Sequence, residues 1–159
     1  MMWLLTMAFA GPSEVGVATG VAGLRTSSGQ HPLELGGAAW YRKGLGNGLH
    51  TEVELWTAAL SDPLVKVGTI DTRFVRPSVT FGWHGGTRAT KVGFGIGPSA
   101  TVIYGGLAGD DVLLRAGLRL KADVRVPLGN KWLLVSHAGV ATRRLSGDVD
   151  LMVGVGRRF

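Results

Sequence analysis

The chain has 159 residues, no cysteine, 45% hydrophobic residues and a formal net charge of +6. The absence of cysteine excludes a disulfide framework and a thiolate metal site, and the hydrophobic content argues against a disordered chain. The length suits one domain with a sizeable core, and the 26 glycines show no three-residue period that would indicate collagen.

The first ten residues, MMWLLTMAFA, are apolar and end in Ala8-Phe9-Ala10, a pattern typical of signal-peptidase cleavage before Gly11. They are too few to cross a bilayer as a helix, which takes about 20 residues. No Lys or Arg precedes the apolar run. We therefore interpret residues 1–10 as a signal peptide, complete or truncated, with a first hydrophobic strand as the alternative, and residues 11–159 as a single domain.

After Gly11 the chain alternates apolar and polar residues in runs that turn residues separate, and glycine recurs too often inside the runs for stable helices. The pattern predicts about eight strands, with residues 64–71 left as either strand or loop. Because short connections join the runs, we expect an antiparallel meander, and closing it into a barrel would remove its edges. The predicted strands are 14–24, 33–42, 49–60, 73–83, 89–104, 114–126, 132–144 and 149–159.

Residues 114–126, LRAGLRLKADVRV, show the alternation most clearly, because one face is apolar and the other carries five charges. Alternation alone fits two kinds of closed sheet. A soluble, lipocalin-like barrel turns its apolar face inward, whereas an outer-membrane barrel turns that face to lipid and its polar face to the lumen.

Two features of the sequence favour the membrane alternative. The polar face is rich in glycine, as at Gly93, Gly95 and Gly97, which weakens a solvated strand but makes room for long side chains inside a narrow barrel. The apolar faces end in aromatic residues, as expected where lipid meets water. The predicted lipid-facing girdle consists of Tyr41, Trp83, Tyr104, Trp132 and Phe159.

The C-terminal run alternates hydrophobic residues from Val149 to Val155 and finishes on Phe159. With the signal-like start and about eight strands, this layout resembles the small outer-membrane β-barrels of Gram-negative bacteria, the OmpA and OmpX type. The resemblance implies an all-β, closed, antiparallel up-and-down transmembrane barrel in the cell outer membrane, with both termini periplasmic. It also implies that the barrel assembly machinery reads the last strand. Arg157 departs from the pattern, because it falls on the lipid-facing parity.

The inward parity collects acids and bases that must pair, because an unpaired buried charge is costly. An eight-stranded barrel is only wide enough for its own side chains, so we expect no wide pore, and the sequence leaves open whether a narrow water path conducts. Arg42, Asp150, His50, His84 and His137 share this parity or border it. The predicted ion-pair network of the lumen consists of Glu34, Glu52, Glu54, Arg76, Arg115, Arg119, Lys121, Asp123 and Arg125.

The sequence gives little support for a metal site or a catalytic site. His50, Glu52 and Glu54 share one strand face, but carboxylates beside arginines form salt bridges more often than metal sites, so we predict no metal and no cofactor. Lipid A deacylases resemble this chain in size and carry His-x-Ser on a late strand. Here Ser136 and His137 are adjacent and point to opposite faces, so we assign no catalytic residue.

These considerations leave a structural or surface-interaction role for the barrel. Nucleic-acid binding is disfavoured because the bases alternate with acids on one face. The expected partners are outer-membrane lipid, lipopolysaccharide and the assembly machinery, with the barrel a monomer. A lipid-modifying enzyme and a soluble lipocalin-like binding barrel remain the alternatives, and the sequence does not identify a physiological ligand.

Overall fold

A computed structural model of the chain describes residues 11–26, 29–60, 72–105, 109–143 and 146–159. No helix in these ranges is long and apolar enough to span a membrane. The described residues form eight strands: β1 Ser13–Thr26, β2 Gly29–Gly46, β3 Leu49–Leu60, β4 Thr72–Gly86, β5 Lys91–Gly105, β6 Gly109–Leu128, β7 Trp132–Arg143 and β8 Ser146–Arg158.

The eight strands close into a barrel in which each strand pairs antiparallel with its neighbours in the chain. The seam joins β1 to β8 in register from Glu14 opposite Arg158 to Arg25 opposite Gly147. This closure satisfies the backbone groups of both terminal strands and leaves no sheet edge. The predicted fold class, an all-β up-and-down barrel of eight strands, is confirmed.

The strands are longer than the sequence predicts at one end of the barrel. The segment 25–32, expected as a loop, is mostly ladder, because Thr26 pairs with Gly29 across a two-residue connection. Strands β6 and β8 likewise begin within expected turns, at Gly109 and Ser146. Polar residues continue an antiparallel ladder because its hydrogen bonds are backbone bonds. The ambiguous segment 64–71 and the signal-like residues 1–10 lie outside the described residues.

The two ends of the barrel differ. Short connections at residues 47–48, 87–90 and 129–131 lie at the end that also carries Ser13 and Phe159, and we name it the turn end. Asn47 and Gly48 both have positive φ, 51° and 80°, which is the type I′ hairpin turn that Asn-Gly favours. The opposite end, with the connections after β1, β3, β5 and β7, is the loop end.

The distribution of polarity is the reverse of that in a soluble protein. Apolar side chains face outward, with Leu35 77% exposed and Phe94 58% exposed, whereas Arg76 and Arg119 are fully buried. If the two faces of β6 were exchanged, its charged side chains would lie on the outer surface. There each Arg or Lys near a bilayer midplane costs about 2–4 kcal/mol. An apolar exterior around a charged interior is the pattern of a transmembrane barrel, and it contradicts the soluble, lipocalin-like alternative.

Candidate functional site

The lumen contains a network of paired charges. Alternate residues of six strands point inward and bring six carboxylates to six cationic groups, all but Arg158 buried. We call this set the lumen network. Its members are Glu14, Arg42, Glu52, Glu54, Arg76, Arg119, Lys121, Asp123, Arg125, Asp148, Asp150 and Arg158.

Lys121 joins the two halves of the lumen network. Its Nζ lies 2.5 Å from a carboxylate oxygen of Glu52 and 2.5 Å from one of Glu54. Both carboxylates project from β3, two residues apart on one face, and the lysine projects from β6 across the lumen. One ammonium group therefore connects charges that face the turn end to charges that face the loop end.

The half toward the loop end is built on two arginines. Arg119 donates to Asp150 through Nη1 at 2.7 Å, and its Nη2 lies 2.7 Å from Glu54 Oε1. Arg76 Nη2 donates to the same oxygen, Asp150 Oδ2, at 2.7 Å, while its Nη1 pairs with Asp148. Asp150 thus accepts from two guanidinium groups, which cross-links β4, β6 and β8.

The half toward the turn end repeats this arrangement. Arg42 donates to Glu52 at 2.8 Å and to Asp123 at 2.7 Å. Arg125 donates to Asp123 at 2.7 Å, to Glu52 at 3.0 Å and to Glu14 at 2.5 Å. Charge-assisted bonds of this kind are roughly twice as strong as neutral ones, and they satisfy charges that burial would otherwise penalise.

Apolar side chains fill the lumen on both sides of the charges. Toward the loop end, Trp56 and Phe74 stack with ring centroids 6.0 Å apart, and the Arg76 guanidinium lies 4.5 Å from the Trp56 ring centroid. Toward the turn end, the Arg125 guanidinium lies 4.7 Å from the Trp40 ring centroid. Side chains therefore pack the interior, and this packing is inconsistent with a wide pore.

Glycines make room for these large groups. A Cβ at Gly139 would lie 2.6 Å from the Arg119 Nη1 atom, and one at Gly156 would lie 2.6 Å from the Trp40 ring. Both distances are shorter than van der Waals contact. The polar face is thus rich in glycine because the inward arginines and tryptophans need the space.

The structure brings most of the predicted lumen residues together. Seven of the nine are buried members of the lumen network: Glu52, Glu54, Arg76, Arg119, Lys121, Asp123 and Arg125. Arg115 is half-buried in β6, nearer the loop end. Glu34 lies in β2 opposite Ala22, and its side chain is outside the described part.

The five predicted girdle residues all lie on the outer surface. Their exposed fractions range from 36% for Tyr104 to 68% for Phe159. Four of them are at the turn end, and Tyr104 is at the loop end. The turn-end members are Tyr41, Trp83, Trp132 and Phe159.

Sequence reasoning missed several interior residues. Glu14 and Asp148 belong to the network, but the predicted set omits Glu14, the first residue of a predicted strand, and the predicted boundaries place Asp148 in a turn. Trp40 and Trp56 are each 2% exposed inside the barrel, although the aromatic pattern was interpreted only as a girdle. The signal was present, because Trp40 shares parity with Arg42, and Trp56 shares it with Glu54.

The structure describes the side chains of three histidines, His50, His84 and His137. His137 faces the lumen, with Nε2 3.4 Å from Asp150 and 3.7 Å from Glu54, while the adjacent Ser136 has the opposite parity. His50 and His84 approach each other at the turn end, with their Nδ1 atoms 3.4 Å apart. Among the described residues, no group of three or more His, Asp or Glu side chains is placed to hold a metal ion.

Comparison with known proteins supports the fold through structure alone. No protein-family model matches the chain, and no curated protein matches it in sequence. Solved structures do match. Neisserial surface protein A superposes with a TM-score of 0.77 at 16% identity, covering 92% of this chain and 97% of that protein.

Two further structures give the same result. Ail, the attachment invasion locus protein of Yersinia pestis, matches with a TM-score of 0.70 at 14% identity over 94% of this chain and 99% of Ail. A major outer membrane protein of Thermus thermophilus matches with a TM-score of 0.69 at 15% identity over 94% of this chain and all of that one. The fold is therefore that of the small outer-membrane barrels.

The central position of Lys121 generates a prediction about stability. Replacing it by methionine leaves Glu52 and Glu54 without their shared cation, and breaking a buried ion pair costs about 3–5 kcal/mol. We expect Lys121→Met to lower the free energy of unfolding by that amount in urea titrations of the barrel in lipid vesicles. The matched control is Arg158→Gln, which removes a part-exposed member of the network and should cost less than about 1 kcal/mol. Equal losses in the two variants would contradict the central role of Lys121.

Proposed function

We propose that this protein, which has the fold of the small outer-membrane β-barrels, is an integral outer-membrane protein with a closed lumen and a structural or surface-interaction role. The observation that carries the proposal is the combination of an apolar exterior with a lumen filled by the paired charges of the lumen network. Such a barrel is stable in lipid and offers no wide route through its centre.

The asymmetry of the barrel supports an orientation in the membrane. Outer-membrane barrels have short periplasmic turns and longer extracellular loops. In this chain the three turn-end connections have two to four residues, the one long connection, residues 61–71, belongs to the opposite end, and β1 begins and β8 ends at the turn end. The turn end therefore faces the periplasm, and the loop end faces the cell exterior. Residues 1–10 would direct export as a signal peptide.

The proposed partners follow from the outer surface. Lipid contacts the apolar band, and lipopolysaccharide meets the barrel in the outer leaflet. The barrel assembly machinery would engage β8, whose outward residues Val149, Leu151, Val153 and Val155 lead to the exposed Phe159. Because every strand is paired on both sides, the sheet presents no edge for another chain, which supports a monomer.

An enzymatic role receives less support from the site. A hydrolytic barrel needs a nucleophile within hydrogen-bond reach of a base and open to lipid. His137 is buried between Glu54 and Asp150, and Ser136 lies on the opposite parity. The side chains that face lipid in the described strands are overwhelmingly apolar.

The proposed location predicts a specific behaviour on gels. We expect the protein in the outer-membrane fraction, and we expect the unheated sample to migrate differently from the boiled one, because a closed barrel resists detergent until heat unfolds it. Fractionation of expressing cells followed by electrophoresis with and without boiling measures both. Recovery in the soluble fraction, with one mobility under both conditions, would overturn the proposal.

The closed lumen predicts low permeability. Vesicles that contain the folded barrel should swell in small sugars no faster than empty vesicles, because Lys121, its carboxylate partners and the stacked Trp56 and Phe74 occupy the path. A general porin reconstituted in parallel is the positive control. Sugar entry at a rate close to that of the porin would show that the network opens and would reject the closed lumen.

A further inference from the structure

We propose that the turn end carries a binding site for the phosphate of anionic phospholipids, formed by Lys131 and Arg157 beside Trp132. This inference rests on the proposed membrane location and names one lipid class that the barrel selects. It also accounts for Arg157, the residue that departs from the lipid-facing pattern of β8.

On the described surface the exposed charged side chains are positive and the acidic side chains are buried. Every acidic side chain whose burial the structure describes is buried, and these are Glu14, Glu52, Glu54, Asp123, Asp148 and Asp150. The exposed charged side chains in the same part of the chain are all cationic, and they are Arg73, Arg88, Lys131 and Arg157. Three of these four stand at the turn end, where no described acidic side chain is exposed.

Along the chain, the remaining acids lie in or next to connections that join strands at the loop end. They fall in the connections after β1, β3 and β5 or in the strand ends beside them, and they are Glu34, Asp62, Asp71, Asp110 and Asp111. Among the described residues the exposed charged side chains of the periplasmic rim are therefore cationic, and its acid Glu14 is buried against Arg125 and Arg158.

The register places a guanidinium group inside the aromatic girdle. Arg157 is directly opposite Trp132 in the β7–β8 ladder, and both side chains are exposed on the outer face. On its other side Arg157 is opposite Val15, which is itself opposite Tyr41. One row across the barrel thus reads tryptophan, arginine, valine and tyrosine.

A backbone hydrogen bond holds the main chain of the second cation, Lys131, beside the end of β8. The Arg158 amide donates to the Lys131 carbonyl at 2.7 Å, which ties the 129–131 turn to the end of β8. Lys131 immediately precedes Trp132 and is exposed. Arg157 and Trp132 therefore share the outer face, and Lys131 is exposed at the adjoining turn, opposite Arg158.

This combination suits a phospholipid phosphate. Tryptophan and tyrosine rings settle at headgroup depth, which sets the level of the girdle. An arginine at that depth extends its charged end to the interface and presents a planar fork that matches two phosphate oxygens. Lysine supplies a second point charge. A zwitterionic headgroup carries an ammonium of its own that this cationic rim repels, so the site favours lipids with net negative charge.

The test compares lipids of equal chain length bound to the folded, untagged barrel. Native mass spectrometry of the barrel, released from neutral detergent micelles, counts adducts of phosphatidylglycerol and phosphatidylcholine over a concentration series. We expect phosphatidylglycerol to bind more tightly. Each cation near a membrane surface contributes about fivefold in affinity, so Arg157→Gln should weaken phosphatidylglycerol about fivefold and the double variant with Lys131→Gln about 25-fold.

Two controls separate a site from general surface charge. Arg73→Gln removes an exposed arginine at the loop end and should leave this binding unchanged, whereas Arg157→Lys keeps the charge without the fork and should bind more weakly than the unmodified barrel and more tightly than Arg157→Gln. Equal binding of the two lipids would overturn the proposal, as would an equal loss in Arg73→Gln and Arg157→Gln. Inorganic phosphate at millimolar concentration that displaces the lipid would show a site for free phosphate and would reject the lipid.

The heated and unheated gel mobility of each variant shows that it is folded before binding is measured. A barrel that never enters vesicles would fail that gel test, and its failure would count against the proposed location. A folded, inserted barrel without lipid preference would count only against this site. If the double variant does not fold, the single Arg157→Gln variant still decides the outcome.

Discussion

The bridge of Lys121 between Glu52 and Glu54 is the interaction on which the interior depends. A narrow barrel that turns its apolar face outward must fill its centre with polar groups, and buried charges persist only when each meets its opposite. Here the six carboxylates and six cations of the lumen network balance. Lys121 stands where the two halves meet, so the cross-links of β1, β2, β3, β4, β6 and β8 become one structure.

The charged layer depends in turn on apolar and glycine packing around it. Trp56 and Trp40 each carry an arginine over the ring, which holds the guanidinium while its nitrogens reach carboxylates on other strands. Gly139 and Gly156 supply the space for Arg119 and Trp40. Glycine, which weakens a strand by its low strand propensity, therefore permits the dense interior, and that density leaves no wide pore.

Much of this arrangement was predictable from the period of the sequence. In β6 the alternation of apolar and charged residues predicts Arg119, Lys121, Asp123 and Arg125 on the inward face, and the structure buries all four. The partners could not be predicted, because which acid meets which base depends on the register of strands far apart in the chain, as for Arg42 and Asp123. Asp148 was missed because strand ends are set by pairing beyond the apolar band, and Glu14 because it stands at the first position of its predicted strand, before the apolar alternation begins. The lumen tryptophans were missed because an aromatic residue fits a girdle and a packed lumen equally well.

The alternation of β6 between lipid and lumen is the claim that supports all the others. Because the chain has no cysteine, single cysteines at each position from 114 to 126 can carry a nitroxide spin label in the reconstituted barrel. Oxygen, which concentrates in lipid, should relax the labels at Leu118, Leu120 and Ala122 strongly and those at the intervening positions weakly, with a period of two. Oxygen contact of the same strength at all positions, or alternation in the opposite phase, would contradict the account.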